Sequence, residues 1–368
     1  MLLKLGNQLG AFDFISSDKA IRSLVINGII QVVIMLIIPA VLYCLMHKKK
    51  PLEMCKDFQI GKIRPSVVGV SFAAGFALFF CVIIISAFAS GIFGMIGYKN
   101  PFASAESFAV KNVWTLLIVP VIMSAVLPGI CEEFLNRGML QNSLNPLSPR
   151  KAIFFSALLF ACLHYNINQV VYTFFVGLLL GTITYFCKSI WPAVIMHFTN
   201  NFCATFFDYV QDEKIFGEKY SSIIDSFFAG APWFVMIKVV LLALVAFSAL
   251  AYLVHILYKM TMSNRMSYNL NVATKELLGE GIKTKNGVKY SSKTVATNET
   301  YEGETLVKLK NVVVENVASE VGSSKTYLEK LVPKQKAQPT SKLEKIFLYT
   351  SVFMTASLTF FTLIWGLL

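Results

Sequence analysis

Several patterns are absent from this sequence, and each absence narrows what the chain can be. The seven cysteines form no Cys-x-x-Cys pair, so we interpret them as reduced packing residues. Neither a solenoid-type repeat nor the inverted repeat of transporters is evident. The first 23 residues carry Asp13 and Asp18 and lack a short apolar region with a small-residue cleavage site, so no cleavable signal peptide is indicated. We therefore expect the first membrane helix to direct insertion.

Charge is scarce and unevenly signed, with 33 Lys and Arg against 21 Asp and Glu and a net charge of +12. A basic excess can indicate nucleic-acid binding. Most of these basic residues flank apolar runs, however, which the positive-inside rule for membrane proteins explains more simply. We predict the lipid bilayer, and no nucleic acid, as a partner.

Apolar residues dominate the chain: 55% are hydrophobic and the mean hydropathy is +0.62. They form runs near or above the roughly 18 to 20 residues that a helix needs to cross a bilayer core of about 30 Å. The sequence therefore predicts an all-α polytopic membrane protein with about eight transmembrane helices. The predicted helices are 24–46, 66–92, 113–144, 152–166, 170–186, 190–207, 233–258 and 345–367.

The loop charges predict how these helices are oriented in the membrane. The first loop, His47 to Arg64, is rich in lysine and should be cytosolic. Alternation then places Lys188 and the basic stretch from Lys259 on the cytosolic side, the acidic segment 208–225 outside, and both termini outside.

Changes in composition divide the chain into five predicted segments. The ranges are 1–112 for the N-terminal helices, 113–207 for a core with the candidate site, 208–258 for an external loop and helix, 259–344 for a polar cytosolic insertion of unknown role, and 345–368 for a C-terminal helix.

The core carries charges inside an apolar helix, in the segment Cys131-Glu-Glu-Phe-Leu-Asn-Arg137. An ionised residue near the centre of a membrane helix costs about 2.5 to 3.5 kcal/mol, so these side chains must face protein or water. Adjacent helical residues point about 100° apart, so Glu132 and Glu133 cannot play the same part. Glu133 and Arg137, at positions i and i+4, can pair.

Two further elements follow on later helices, Phe160-Ala-Cys-Leu-His164 and His197-Phe-Thr-Asn-Asn201. Each places two polar or aromatic side chains one turn apart, and each alone is a weak signal. At 1.5 Å per residue, Glu132 and His164 lie roughly 20 Å from their cytosolic turn and His197 roughly 14 Å from its own. We therefore expect all three to meet in one cavity.

Together, Glu-Glu-x-x-x-Arg, Phe-x-x-x-His and His-x-x-x-Asn on successive membrane helices resemble the CPBP family, the type II CAAX prenyl proteases and bacteriocin-processing (Abi-like) proteases. The resemblance covers about residues 113–207. Flanking residues also look like the family, including the stretches 138–141, 177–181 and 189–192. The resemblance implies a helical core enclosing a conical cavity open to the cytosol, where a glutamate-activated water hydrolyses a peptide bond.

The residue types suggest a part for each member of the site. A carboxylate shielded from bulk water has the raised basicity that general-base catalysis needs, and Glu132 is the first choice for that base. Glu133 would pair with Arg137 or share the water. Asn201, aided by His197, is suited to donate hydrogen bonds to the oxyanion. His164 would orient the water or donate a proton.

A second version of the site places zinc among Glu132, Glu133, His164 and His197, since imidazole and carboxylate ligands with an open water position are usual in hydrolytic zinc sites. The His-Glu-x-x-His spacing that directly predicts zinc is absent. Both the metal-dependent and the metal-free site therefore stay open at this point.

Two other functions compete with an endopeptidase. A non-catalytic membrane scaffold or immunity protein of the same fold would use the core only to bind partners, and a proton-coupled transporter would use the buried charges as a relay. For a peptidase we expect a peptide or protein substrate at the membrane, such as a C-terminal or leader segment. The short loops suggest a bacterial cell membrane.

Overall fold

The computed structural model describes residues 19–98, 114–144, 148–164, 166–212 and 229–263, together with Phe14, 282–284, 287–289, Ser357 and Phe360. The first two helices are α1, built of Lys19–Ile29, a π-helical stretch Ile30–Ile37 and Ile38–His47, and the short α2, Pro51–Asp57. The long helix α3 spans Pro65–Met95.

Helix α4 alternates between α-helical and π-helical geometry from Trp114 to Leu144. Its segments are Trp114–Ile118, Val119–Val121, Ile122–Val126, Leu127–Glu133, Phe134–Gln141 and Asn142–Leu144. Proline removes an N–H donor from the helical ladder, and α4 contains two, at Pro120 and Pro128. Departures from regular α-helical bonding are therefore expected along it.

The remaining elements follow in chain order. Helices α5, α6, α7 and α8 span Pro149–Cys162, Ile167–Cys187, Trp191–Asp212 and Pro232–Tyr258, and a π-helical stretch, Lys259–Ser263, continues α8. Strands β1 and β2, Ile282–Thr284 and Gly287–Lys289, pair antiparallel with Lys283 opposite Val288. The chain divides into two compact units, Met1–Leu257 with Thr340–Leu368 and Tyr258–Pro339.

Within the described residues, five helices are long and apolar enough to cross a membrane, which agrees with an all-α integral membrane protein. These spans are Val25–His47, Pro65–Met95, Val119–Leu144, Ile167–Cys187 and Trp233–Thr261. Helix α5 has 14 residues and is short for a span, and the 22-residue α7 carries the polar side chains of the candidate site. The predicted helix 345–367 lies outside the described residues apart from Ser357 and Phe360, so the number eight stays a prediction, as do the five segment boundaries.

Helix α7 is central, packed against α3, α4 and α6, while α5 lies along α6. Glycine permits the closest approaches. A Cβ at Gly75 of α3 would lie 2.7 Å from Cβ of Thr199 on α7, and one at Gly177 of α6 would lie 2.9 Å from Cα of Ala157 on α5. Small residues allow membrane helices to come together in this way, and here each contact packs one motif-bearing helix, α7 or α5, against a neighbouring helix.

Helix α2 folds back against the start of the candidate core. Met54 and Phe58 form a cluster with Phe134, the residue after Glu133, and the Phe58 and Phe134 ring centroids lie 5.1 Å apart. Asp57 accepts hydrogen bonds from Lys49 and Tyr43, and the bond from Lys49 holds the pKa of this carboxyl below its usual value. The first loop is therefore ordered and supports α4.

Candidate active site

The buried centre of the site is an ion pair within α4. Arg137 Nη1 lies 3.1 Å from Oε1 of Glu133, and both side chains are 0% exposed. The i, i+4 pair that the sequence indicates is present in the structure. Arg137 Nη2 also donates to the carbonyl of Gly177 at 3.2 Å, and the guanidinium carbon lies 4.6 Å from the ring centroid of Phe160. Two neighbouring helices thus help to hold the arginine.

His197 of α7 joins this pair from the opposite side. Its Nδ1 lies 2.9 Å from the same Oε1 of Glu133, and the side chain is buried. A carboxylate oxygen is an acceptor, so Nδ1 carries a proton and donates it to Glu133. The second nitrogen, Nε2, is then an acceptor in the neutral ring and a donor only in the imidazolium form.

Glu132 has different surroundings from its neighbour. Its side chain is only partly buried, and its Oε1 accepts a hydrogen bond of 2.7 Å from Nε2 of Gln31 on α1. Its backbone carbonyl accepts from Asn136 Nδ2 at 2.8 Å. The two adjacent carboxylates therefore point toward different parts of the protein, as their helical offset requires.

His164 lies beyond the end of its helix. The predicted helix 152–166 is wrong at its C-terminal boundary, because α5 ends at Cys162. The Asn166 side chain instead caps the following helix by accepting from the N–H of Asn168, so the chain turns between the two helices. His164 Nδ1 lies 2.9 Å from the Phe160 carbonyl, which places the proton on Nδ1 and a lone pair on Nε2.

The aromatic ring of Phe160 links the two histidines. Its centroid lies 5.1 Å from that of His164 and 5.8 Å from that of His197, both nearly edge to face. Together with the cation–π contact to Arg137, this ring contacts three of the six residues that the sequence selects. The Phe160 ring therefore contacts side chains from three parts of the chain, namely Arg137 of α4, His164 just after α5 and His197 of α7.

Asn201 is held by two hydrogen bonds in fixed directions. Its Oδ1 accepts from Nδ2 of Asn200, and its Nδ2 donates to the carbonyl of Ser124, each at 2.9 Å. In a regular α-helix the N–H of residue 128 would donate to the Ser124 carbonyl. Pro128 has no N–H, so the Asn201 side chain of α7 supplies the donor instead. An amide nitrogen carries two hydrogens, and among the contacts of the described residues only one of those on Asn201 is used.

Gln141, one turn beyond Arg137, repeats the contact between α4 and α6. Its Nε2 donates to the carbonyl of Gly181 at 2.9 Å, four residues after the Gly177 carbonyl that Arg137 binds. A Cβ at Gly181 would lie 2.8 Å from Gln141 Oε1. The glycines noted in the sequence thus let two polar side chains of α4 reach the backbone of α6.

Sequence reasoning missed Gln31, Ser124 and Asn200, which hold Glu132 and Asn201. A signal existed for two of them. Gln31 is an uncharged polar residue within an apolar run, and Pro128 marks Ser124 as a carbonyl without its usual helical donor. Neither signal identifies the bonded residue, because Gln31 is 101 residues from Glu132 and Ser124 is 77 residues from Asn201.

Only the described residues bear on the predicted zinc site. They contain no group of three or more His, Cys, Asp and Glu side chains that could hold a metal ion. Glu133 Oε1 is bound by Arg137 and by His197 and Glu132 Oε1 by Gln31, whereas Glu133 Oε2 is buried and has no hydrogen-bond partner among the described residues. Zinc dependence stays a prediction.

The comparison with family models agrees with the motifs. Residues 113–203 match the model described as Type II CAAX prenyl endopeptidase Rce1-like. The matched range includes all six residues of the candidate site and confirms the resemblance that their spacing indicates. No curated protein and no solved structure gave a match.

Proposed function

With a core segment that matches the type II CAAX endopeptidase family as the premise, we propose that this protein is an intramembrane endopeptidase. In this proposal it hydrolyses a peptide bond with water activated by Glu132. The observation that carries it is the difference between the two glutamates. Glu133 is buried and held by Arg137 and His197, whereas Glu132 is partly exposed beside it.

Glu132 is the base in this mechanism. It takes a proton from a water molecule while the water oxygen attacks the carbonyl carbon of the peptide. The tetrahedral intermediate then collapses, the C–N bond breaks, and the proton passes to the leaving amine. A general base that is aligned for such a transfer contributes about 10²- to 10⁴-fold in rate.

Asn201 donates to the oxyanion of the intermediate. Its remaining N–H is directed by the bonds to Asn200 and Ser124, so it needs little reorganisation during the reaction. Unlike His197, whose Nε2 donates only in the imidazolium form, the amide donates at any pH. We assign His197 a supporting part, held in place by Glu133.

His164 orients the water. With its proton on Nδ1 and bonded to the Phe160 carbonyl, its Nε2 lone pair can accept a hydrogen bond from the attacking water. Glu133 and Arg137 position His197 and fix α4 against α6 through the Gly177 carbonyl. No step in this mechanism passes through a metal.

The proposed substrate is a peptide or protein segment at the membrane, such as a C-terminal or leader peptide. The basic loop between α1 and α3 supports a cytosolic position for that end of the protein. We place the protein in a bacterial cell membrane with its cavity facing the cytosol.

The test compares wild type, Glu132→Gln and a matched control, Glu53→Gln, purified in detergent. Glu53 belongs to the first turn of α2, outside the site. Cleavage of a quenched peptide library is followed by mass spectrometry, with and without a zinc chelator. We expect cleavage by wild type and by the control, a loss of about 10²- to 10⁴-fold in Glu132→Gln, and no effect of the chelator.

Other results would overturn parts of the proposal. No cleavage by folded wild type would favour the non-catalytic scaffold or immunity protein. Equal cleavage by Glu132→Gln would remove Glu132 as the base. Inhibition by the chelator that added zinc reverses would replace the metal-free mechanism.

A further inference from the structure

We propose that Gln31 of α1 is a positioning residue for Glu132, so that the active site extends to a helix outside the matched segment 113–203. This inference rests on the proposed peptidase function. It assigns a task to the N-terminal helix, which neither the three motifs nor the family match includes.

The contact between the two side chains is short and joins distant parts of the chain. Gln31 Nε2 lies 2.7 Å from Glu132 Oε1, across 101 residues of sequence. The π-helical stretch of α1 that contains Gln31 packs against the segment Leu127–Glu133 of α4.

A polar side chain at position 31 lowers the stability of the fold, because it lies in an apolar helix. Gln31 belongs to the span Val25–His47, whose most apolar window has a mean hydropathy of 2.7. Its Oε1 is buried, and the described residues provide no hydrogen-bond donor to that atom. A buried acceptor without a partner lowers stability, so an apolar side chain at this position would suit the fold better. The amide is therefore explained by what its Nε2 does for Glu132.

The hydrogen bond from Gln31 fixes the orientation of the Glu132 carboxylate. A carboxylate can rotate about its last bond, and a hydrogen bond to one oxygen selects one rotamer and directs the other oxygen, Oε2, to a fixed place. Small displacements of a reacting group can lower a rate about 100-fold. Gln31 thus orients Glu132 without contacting the substrate.

A purely structural role is the alternative. In that case Gln31 would only fasten α1 to α4, and its loss would lower thermal stability without changing turnover by the folded protein. The two roles differ in their effect on kcat.

The experiment uses the full chain in detergent and the best-cleaved peptide of the library. Gln31→Met removes the amide and keeps an unbranched side chain of similar length, whereas Gln31→His keeps an N–H donor. Gln31→Leu is a second variant without a hydrogen-bond donor. Asn27→Met, one turn earlier on α1, is the matched control.

We expect kcat to fall about 10- to 100-fold in Gln31→Met and Gln31→Leu, with KM within about twofold of wild type. Gln31→His should recover part of the loss, and Asn27→Met should retain wild-type kcat. Unchanged kcat in folded Gln31→Met, or a loss equal to that of Asn27→Met, would overturn the inference.

A thermal-unfolding cycle separates this inference from the proposed function. Gln31→Met and Glu132→Leu are measured singly and together, and contacting side chains should give Tm shifts that do not add. Additive shifts would overturn the contact even if the protein is a peptidase. Coupled shifts in a protein that cleaves nothing would instead support the contact and overturn the peptidase proposal.

Discussion

The candidate site has two sides, a buried side and an open side, which differ in the hydrogen-bond and ion-pair partners of their polar residues. On the buried side, Glu133, Arg137 and His197 bind one another, and little of them reaches solvent. On the open side, Glu132 and Asn201 are partly exposed and each is held by groups from outside its own motif. On α4 the two sides are represented by the adjacent residues Glu132 and Glu133, which point about 100° apart around the helix axis.

The difference shows how one helix can carry two glutamates with unlike tasks. A buried charge is tolerated only with a counter-charge or hydrogen-bond donor beside it, and Arg137 and His197 supply these to Glu133 inside the protein, away from solvent. A partly exposed carboxylate held through one oxygen keeps the other for chemistry. In the proposed mechanism, burial therefore distinguishes the supporting glutamate, Glu133, from the reacting one, Glu132.

The largest expected effect is a separation of activity from stability in the two Glu→Gln variants. Glu132→Gln should lose about 10²- to 10⁴-fold in kcat and change Tm little, because its partner Gln31 can still donate to an amide oxygen. Glu133→Gln should lower Tm, because Arg137 loses its counter-charge. Peptide cleavage and thermal unfolding in the same detergent measure both. A larger Tm loss in Glu132→Gln would reverse our assignment.

Removing the arginine of the buried Glu133–Arg137 ion pair should also lower the stability of the protein. Arg137→Met leaves the Glu133 carboxylate buried without its cation, and we expect about 3 to 5 kcal/mol less free energy of unfolding. The double variant Glu133→Leu with Arg137→Met should be more stable than Arg137→Met alone, since no buried charge remains. Denaturant unfolding in detergent tests both. A double variant less stable than the single one would contradict this account.

Removing Asn201, the oxyanion donor of the proposed mechanism, should affect the open side alone. Asn201→Ala should lower kcat about 10²- to 10³-fold, as the loss of one such donor does in other hydrolases. Thr199→Ala on the same helix is the control, because Thr199 bonds only to the backbone of its own helix in the described contacts. A loss of activity in Thr199→Ala as large as that in Asn201→Ala would point to disruption of α7 instead.

The smallest expected effect comes from the packing that supports both sides. Gly177→Ala places a methyl group 2.9 Å from Ala157 Cα, and overpacking of this kind costs about 1 to 3 kcal/mol. Gly69 of α3 is a control, since nothing lies within 4 Å of a Cβ added there. Thermal unfolding should show a lower Tm for Gly177→Ala and little change for Gly69→Ala. Equal Tm values would show that α5 and α6 can separate without cost.

Local sequence patterns were enough to predict much of the site. Glu133 and Arg137 are one turn apart on a single helix, so their pairing follows from spacing. The contact of Phe160 with His164 also follows from a four-residue spacing, although His164 lies just past the helix end. That boundary was missed because the cap of the next helix at Asn166 outweighs the apolar pattern.

Taken alone, the sequence determined that the protein is an integral membrane protein and that Glu133 and Arg137 pair, because length, hydropathy and helical periodicity are local properties. Only the tertiary structure decided how the glutamates differ. His197 reaches Glu133 from 64 residues away, and Gln31 reaches Glu132 from 101 residues away. Such contacts depend on which helices pack together, and periodicity within one helix carries no information about its neighbours.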